Sequence, residues 1–342
     1  MSEQRQSNMC RHLVSFSVLL LLCLLLICCS STAVYGEEGN KPKEEQLPKG
    51  INLFMPHQTI VETQGRSQTR DYFAFPSLAS AGGVLVTFAE SHSDLRVSGE
   101  EYASMYYADV VAGYVDSAES WSSFVDEFRE DEWKAYSIFN ITTQGDHSGI
   151  VIHLLKPTTI AKGNKVFLLV GDYYQKYDPS SKKHIKSSKD LVLVVGEATQ
   201  DKVIQWGKPT SILSQIEPYA KQLDLEQFIG GGGSGVVMED GTLVFPVTVK
   251  SRKENETVSM IVYSKDDGKN WVLPQGTLLR WCTDPLIVEW EQGQLVMVAK
   301  CDLLSNVFES RDMGATWREA VRILTRVQPR LLPDASQKPE GV

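Results

Sequence analysis

Short apolar runs bounded by glycine punctuate the chain. Gly83 to Ala89 reads Gly-Val-Leu-Val-Thr-Phe-Ala, and Lys165 to Val170 reads Lys-Val-Phe-Leu-Leu-Val. Leu191 to Val195, Thr242 to Val247, Met260 to Tyr263 and Gln294 to Val298 are of the same kind, rich in β-branched and aromatic side chains. Runs of this length and composition predict strands. Asp240-Gly241 and Asp267-Gly268 lie among them, and Asp-Gly is a hairpin signal, so the strands are predicted to pair antiparallel. The expected class is all-β.

Four stretches depart from this pattern. In residues 1–36, Arg11 and His12 precede an apolar run of 17 residues, Leu13 to Cys29, and small residues follow. That is the layout of a signal peptide, with Val34-Tyr35-Gly36 as its cleavage site. The same run also stands at the lower limit for a retained membrane anchor. Either way the rest of the chain enters the secretory pathway, to be secreted or held at the cell surface, and cleavage leaves no membrane span. No apolar tail of the GPI-signal kind closes the chain. Residues 37–49 form a polar linker, and residues 328–342 a Pro-rich polar tail read as unstructured. Residues 96–150 are acidic, carry Trp121 and Trp133, and are expected to be a long insertion with some helix.

A net charge of −9 argues against a nucleic-acid partner. Gly230 to Gly233 could suggest a phosphate loop, but no Lys-Ser/Thr follows and the flanks read as strands. Tight backbone packing is the expectation there, and neither a cofactor nor a metal is predicted. Of six cysteines, Cys10, Cys23, Cys28 and Cys29 lie in the leader. Cys282 and Cys301 remain, flanking one strand–turn–strand unit. In an oxidising compartment they are predicted to form a disulfide, two buried free thiols being the alternative. Asn140-Ile141-Thr142 and Asn255-Glu256-Thr257 are glycosylation acceptors in polar stretches.

The most specific signal is Ser310-Arg311-Asp312-Met313-Gly314-Ala315-Thr316-Trp317, which reads S-x-D-x-G-x-T-W, the Asp box. A second copy runs from Ser264 through Asp266 and Gly268 to Trp271, with Asn270 in place of Thr. The copies begin 46 residues apart, near the ~40–50 residue period of a propeller blade. Tyr114 to Trp121 is a worn third copy that has lost the Ser and the Gly. Ser and Asp can hold the N–H groups of a tight turn, Gly can take positive φ, and Trp can wedge between sheets. Together with Phe228 to Gly235, Asp240 to Val247, Cys282-Thr283-Asp284-Pro285, Val288-Glu289-Trp290 and Val307 to Ser310, the boxes resemble the trypanosome trans-sialidase superfamily. The similarity runs from about residue 50 to about residue 327 and favours the large surface-glycoprotein branch, whose members are mostly not enzymes. It implies a sialidase-type β-propeller over residues 50–327, with about four of six blades in this chain.

The resemblance also implies a site. Such an enzyme holds a sugar carboxylate with an arginine cluster, because guanidinium matches carboxylate bidentately. It attacks with a Tyr helped by a Glu, an exception among glycosidases, and an Asp serves as acid/base. In this chain the first arginine falls at Ala74, within Phe73-Ala74-Phe75-Pro76. The acid/base position falls at Ser98, with Asp94 close but out of register. An Asp that holds the N-acyl arm is replaced by Lys156, and the helper Glu by Asp284, one methylene shorter. The second arginine falls at Lys300 when one inserted residue is allowed, and the third arginine and the Tyr fall beyond Val342. Asp284 and Lys300 are conservative remnants at most. The expectation is a catalytically inactive surface or secreted glycoprotein that binds host glycans or glycoproteins, or serves antigenic variation. An active exo-α-sialidase or trans-sialidase is one alternative, and a truncated product without function is another.

Overall fold

The computed structural model describes residues 52–96, 104–116, 133–139, 150–178, 180–181, 183–252, 256–302 and 304–320. Most of them fold as four antiparallel meanders, each a blade. The first blade is β3 (Tyr72–Ala81), β4 (Val84–Arg96), β5 (Ser104–Asp116) and β6 (Lys134–Ser137). Ahead of it, β1 (Ile60–Thr63) and β2 (Arg66–Gln68) form a small hairpin, with β1 lying parallel to β6. The second blade is β7 (Ile150–Lys162), β8 (Lys165–Asp178), β9 (Lys183–Ala198) and β10 (Ile204–Trp206). After β11 (Thr210–Ser211) comes α1 (Leu213–Gln222), which buries Ile216 and Ala220 and which the apolar pattern did not announce.

In the third blade, β12 (Leu225–Gly230) and β14 (Val236–Val237) pair with the same edge of β15 (Leu243–Ser251). The interrupting piece, β13 (Gly233–Ser234), turns away and pairs in parallel with β7. β16 (Thr257–Ser264) follows, and a bridge from Tyr263 to Val272 closes the blade. The fourth blade is β17 (Cys282–Glu291), β18 (Gln294–Cys301), β19 (Leu304–Ser310) and β20 (Arg318–Glu319).

Among the described residues the three larger apolar cores lie between blades, and a fourth, of Val61, Ala89, Val111 and Ala135, joins the first blade to β1. Val84, Val86 and Phe88 of the first blade meet Val166, Leu168 and Val170 of the second. The opposite face of β8, through Phe167 and Leu169, packs on Leu243, Phe245 and Val247 of the third. Val244 and Ile261 then meet Ile287, Leu295 and Met297 of the fourth. A strand covered on both sides cannot alternate apolar with polar, so Lys165 to Val170 and Thr242 to Val247 read as continuous apolar runs. On β17 the alternation returns: Ile287 is buried while Leu286, Val288 and Trp290 are each about half exposed.

One expectation is revised. Part of the 96–150 span is blade, because β5 pairs with β4 along thirteen residues and buries Ala108, Val110, Val111 and Ala112. Asp109 sits within that apolar run and is itself buried, accepting hydrogen bonds from the Val110 N–H at 2.7 Å and the Ser137 hydroxyl at 2.5 Å. Its two satisfied oxygens explain how an acidic side chain tolerates this strand.

Candidate functional site

The innermost strands of three blades break register at the same kind of place. β3 skips between Ala74 and Ser77, β7 between Leu155 and Thr158, and β17 between Thr283 and Leu286. Each skip holds a residue followed by proline: Phe75-Pro76, Lys156-Pro157 and Asp284-Pro285. All three leading residues have positive φ, 48°, 52° and 51°. Non-glycine residues seldom take that conformation, and it persists only where the surroundings impose it. A bulge of this kind re-aims one side chain.

In the third blade the equivalent place is the glycine run. Gly232 and Gly233 take φ of 78° and 150°. A Cβ on Gly230 would lie 2.1 Å from the carbonyl oxygen of Lys156, and one on Gly231 would lie 2.7 Å from that of Pro285. A Cβ on Gly232 would meet the Phe75 ring at 2.7 Å. The run packs against all three bulges, which is the tight backbone packing expected of it.

The bulged side chains converge. The ammonium of Lys156 is ion-paired with the carboxylate of Asp284 and lies 4.9 Å from the centroid of the Phe75 ring. From below, Glu90 Oε2 accepts the backbone N–H of Lys156 at 2.6 Å, and Glu90 Oε1 lies 2.7 Å from His92 Nε2. Glu90 is buried and stands opposite Ala74 in the β3–β4 register, while the Tyr72 ring stacks on His92 at 3.9 Å. The inner strands are also tied directly. Ser77 Oγ is 2.5 Å from Thr159 Oγ1 and donates to the Gly233 carbonyl at 2.8 Å. A cavity of about 880 Å³ opens beside Ala74, walled by Phe54, Phe73, Leu78, Leu286 and Val288.

Of the residues singled out from the sequence, Ala74, Lys156 and Asp284 therefore fall at one centre. Lys300 pairs with Thr283, next to Asp284, with its side chain exposed. Asp94 lies on β4 opposite Tyr106. Ser98, Asn140, Asn255 and residues 117–121 of the worn box lie outside the described residues. Glu90 and His92 were missed. The one hint was an acid closing the apolar run Val84 to Ala89, at a position whose strand neighbours are all buried.

The Asp boxes lie elsewhere, at the turns after β16 and β19. Ser264 Oγ accepts the Gly268 N–H at 2.9 Å, and Asp266 accepts the Asn270 backbone N–H at 2.9 Å and side-chain amide at 2.6 Å. Ser310, Gly314, Asp312 and Thr316 repeat this at 2.9, 2.9 and 2.6 Å, the last from the Thr316 hydroxyl. Asn270 and Thr316 thus supply the same donor from different side chains. Those bonds, from Asn270 first, hold the Asp266 carboxyl down to about 2, and Thr316 likewise lowers Asp312. Each turn spends two residues at positive φ, Asp267-Gly268 and Met313-Gly314. Cys282 and Cys301 stand directly opposite each other on β17 and β18 and are bonded.

A BNR repeat-like domain matches residues 75–335. The chain belongs to the trans-sialidase superfamily. Sialidase 85-1.1 of Trypanosoma cruzi is 40% identical over 303 residues, covering 86% of this chain and 39% of that protein. The structure of Trypanosoma rangeli sialidase in complex with the inhibitor DANA superposes with a TM-score of 0.59 at 25% identity, over 79% of this chain and 42% of that one. Its complex with sialic acid gives 0.58 at 26% identity, with 79% and 41% covered. The fold is that of a sialidase β-propeller, and the chain spans about two fifths of these relatives' length.

Proposed function

We propose that this superfamily member is a non-catalytic surface or secreted glycoprotein that binds host glycans or glycoproteins without cleaving them. The observation that carries the reading is the Lys156–Asp284 ion pair at the convergence of the blades, with Ala74 opposite Glu90, which holds the Lys156 backbone. Ala74 has no donor to offer a carboxylate, and a lysine cannot replace the planar fork of an arginine. The Lys156 charge is already engaged, and Lys300 stands exposed. Asp284 has its carboxylate on that ammonium and is one methylene shorter than the glutamate that the resemblance calls for. The leader and the two glycosylation acceptors fit a route through the secretory pathway. The test is turnover of a fluorogenic sialoside by the purified chain. No release above a mock preparation is expected, and clear turnover would sink the reading.

A further inference from the structure

The bulges of three blades meet at one ammonium. Lys156 has a side chain 14% exposed, whereas that of Asp284 is 42% exposed, so solvent reaches the pair from the Asp284 side. The cation does not swing freely. Its backbone is held by Glu90 and by its own place in the β7 bulge, and its ammonium lies over the face of Phe75. Asp284 also faces the Thr283 hydroxyl, at 3.4 Å.

We propose that Lys156 is the anion-holding group of this centre and that Asp284 is its built-in competitor, which excludes an external carboxylate such as that of a sugar acid. The proposal rests on the non-catalytic reading above and names the residue that sets selectivity at that same site. An incoming carboxylate meets Lys156 with the carboxylate of Asp284 already on it, and has to share the ammonium or displace that group. Either way Asp284 stays charged beside the newcomer, and its repulsion offsets the attraction of the ammonium. The native centre therefore favours neutral or apolar groups, in keeping with the apolar wall of Phe54, Phe73, Leu78 and Leu286 in the neighbouring cavity. Asparagine at position 284 would keep the shape and remove the competing charge. Lys156 would then lack a counterion, and an external carboxylate would supply one.

The experiment compares the full chain with Asp284→Asn, Asp284→Ala, Asp284→Glu and the double variant Asp284→Asn/Lys156→Met. Free sialic acid is the probe and N-acetylmannosamine, which lacks the carboxylate, the neutral control, both followed by ligand-observed NMR. Asp284→Asn and Asp284→Ala are expected to bind the acid about fivefold more tightly than the native chain, which is the upper end of what one partly exposed ion pair contributes. Asp284→Glu should behave as native, the double variant should lose the gain, and the neutral control should not distinguish any of them. Unchanged affinity in folded Asp284→Asn and Asp284→Ala overturns the proposal. So does a gain that survives Lys156→Met, or an equal gain for the neutral sugar. If neither single variant folds, the pair is a structural brace and the proposal also fails. Sialoside turnover by the native chain would overturn the functional reading separately, whatever these affinities show.

Discussion

Trp271 and Trp317 end two copies of one turn, yet Trp271 is buried and bonded where Trp317 is half-buried and its indole N–H has no acceptor among the described residues. Trp271 donates to the Gly268 carbonyl at 3.0 Å and packs 5.5 Å from Phe245, inside the core between the second and third blades. Trp317 packs only on the edge of the core between the third and fourth. The first prediction follows from that inequality. Trp271→Ala should cost ~3–5 kcal/mol, as large core truncations do, and Trp317→Ala on the order of 2 kcal/mol, in proportion to the area it hides. Denaturant unfolding of the two variants checks this, and equal losses would contradict the burial difference.

The boxes also set a response to acid. Hydrogen bonds from Asn270 and Ser264 keep Asp266 near 2, below its ordinary value of about 3.9, and Asp312 shifts the same way. A carboxyl depressed in the folded state stabilises fully above the unfolded value, and the contribution fades as pH falls through the folded one. Melting temperature should therefore drop between about pH 4 and pH 2. The combined Asp266→Asn/Asp312→Asn variant should melt lower at neutral pH and show a shallower acid limb. An acid limb as steep as the native one would place the titrating groups elsewhere.

Gly230→Ala should be among the most damaging substitutions of a small residue for a small one. Its Cβ has backbone oxygen at 2.1 Å and the Thr158 hydroxyl at 2.4 Å, so relief requires moving the Lys156 bulge. A loss of ~3 kcal/mol is expected. Gly293→Ala is the control, since its Cβ meets nothing within 4 Å and only its φ of 75° is strained. That change should cost about 1 kcal/mol. Similar thermal melts for the two would show that the close approach is not what holds the centre.

The Cys282–Cys301 bond ties the start of β17 to the end of β18, 19 residues apart. Replacing both cysteines by serine should lower stability by about 3 kcal/mol on the loop-entropy scale. The native chain should show the same shift under reductant, and a melt indifferent to reductant would contradict it.

What the sequence disclosed follows from physical scale. Runs such as Lys165 to Val170 are legible because burial on two faces leaves a local record in composition. β5 left a blurred one. Its Val110-Val111-Ala112 core is preceded by Asp109 and flanked by acidic segments, and one of the two donors that satisfy that acid, Ser137, comes from 28 residues on. α1 carries Pro218 inside it and has no side-chain cap, so local signals stay silent and packing of Ile216 and Ala220 decides. The bulges were invisible for a stronger reason. A residue before proline is locally biased to extended conformations, so positive φ at Phe75, Lys156 and Asp284 is imposed from outside the tripeptide. Resemblance singled out Lys156 and Asp284 separately, and Ala74 rather than the Phe75 that follows it. That they meet at a single ammonium is a property of the assembled blades.

Cores that lie between sheets have a mechanical consequence. Among the described residues the three larger clusters each span two neighbouring blades, so a neighbouring pair is the smallest unit that carries one of them. Such a chain should behave as a row of nearest-neighbour couplings, in which opening one interface exposes two sheets at once. Hydrogen exchange would then report interfaces rather than strands. Amides of β8 and β15, clamped from both sides, should be the slowest, and those of β17, whose Leu286, Val288 and Trp290 look outward, should be released first.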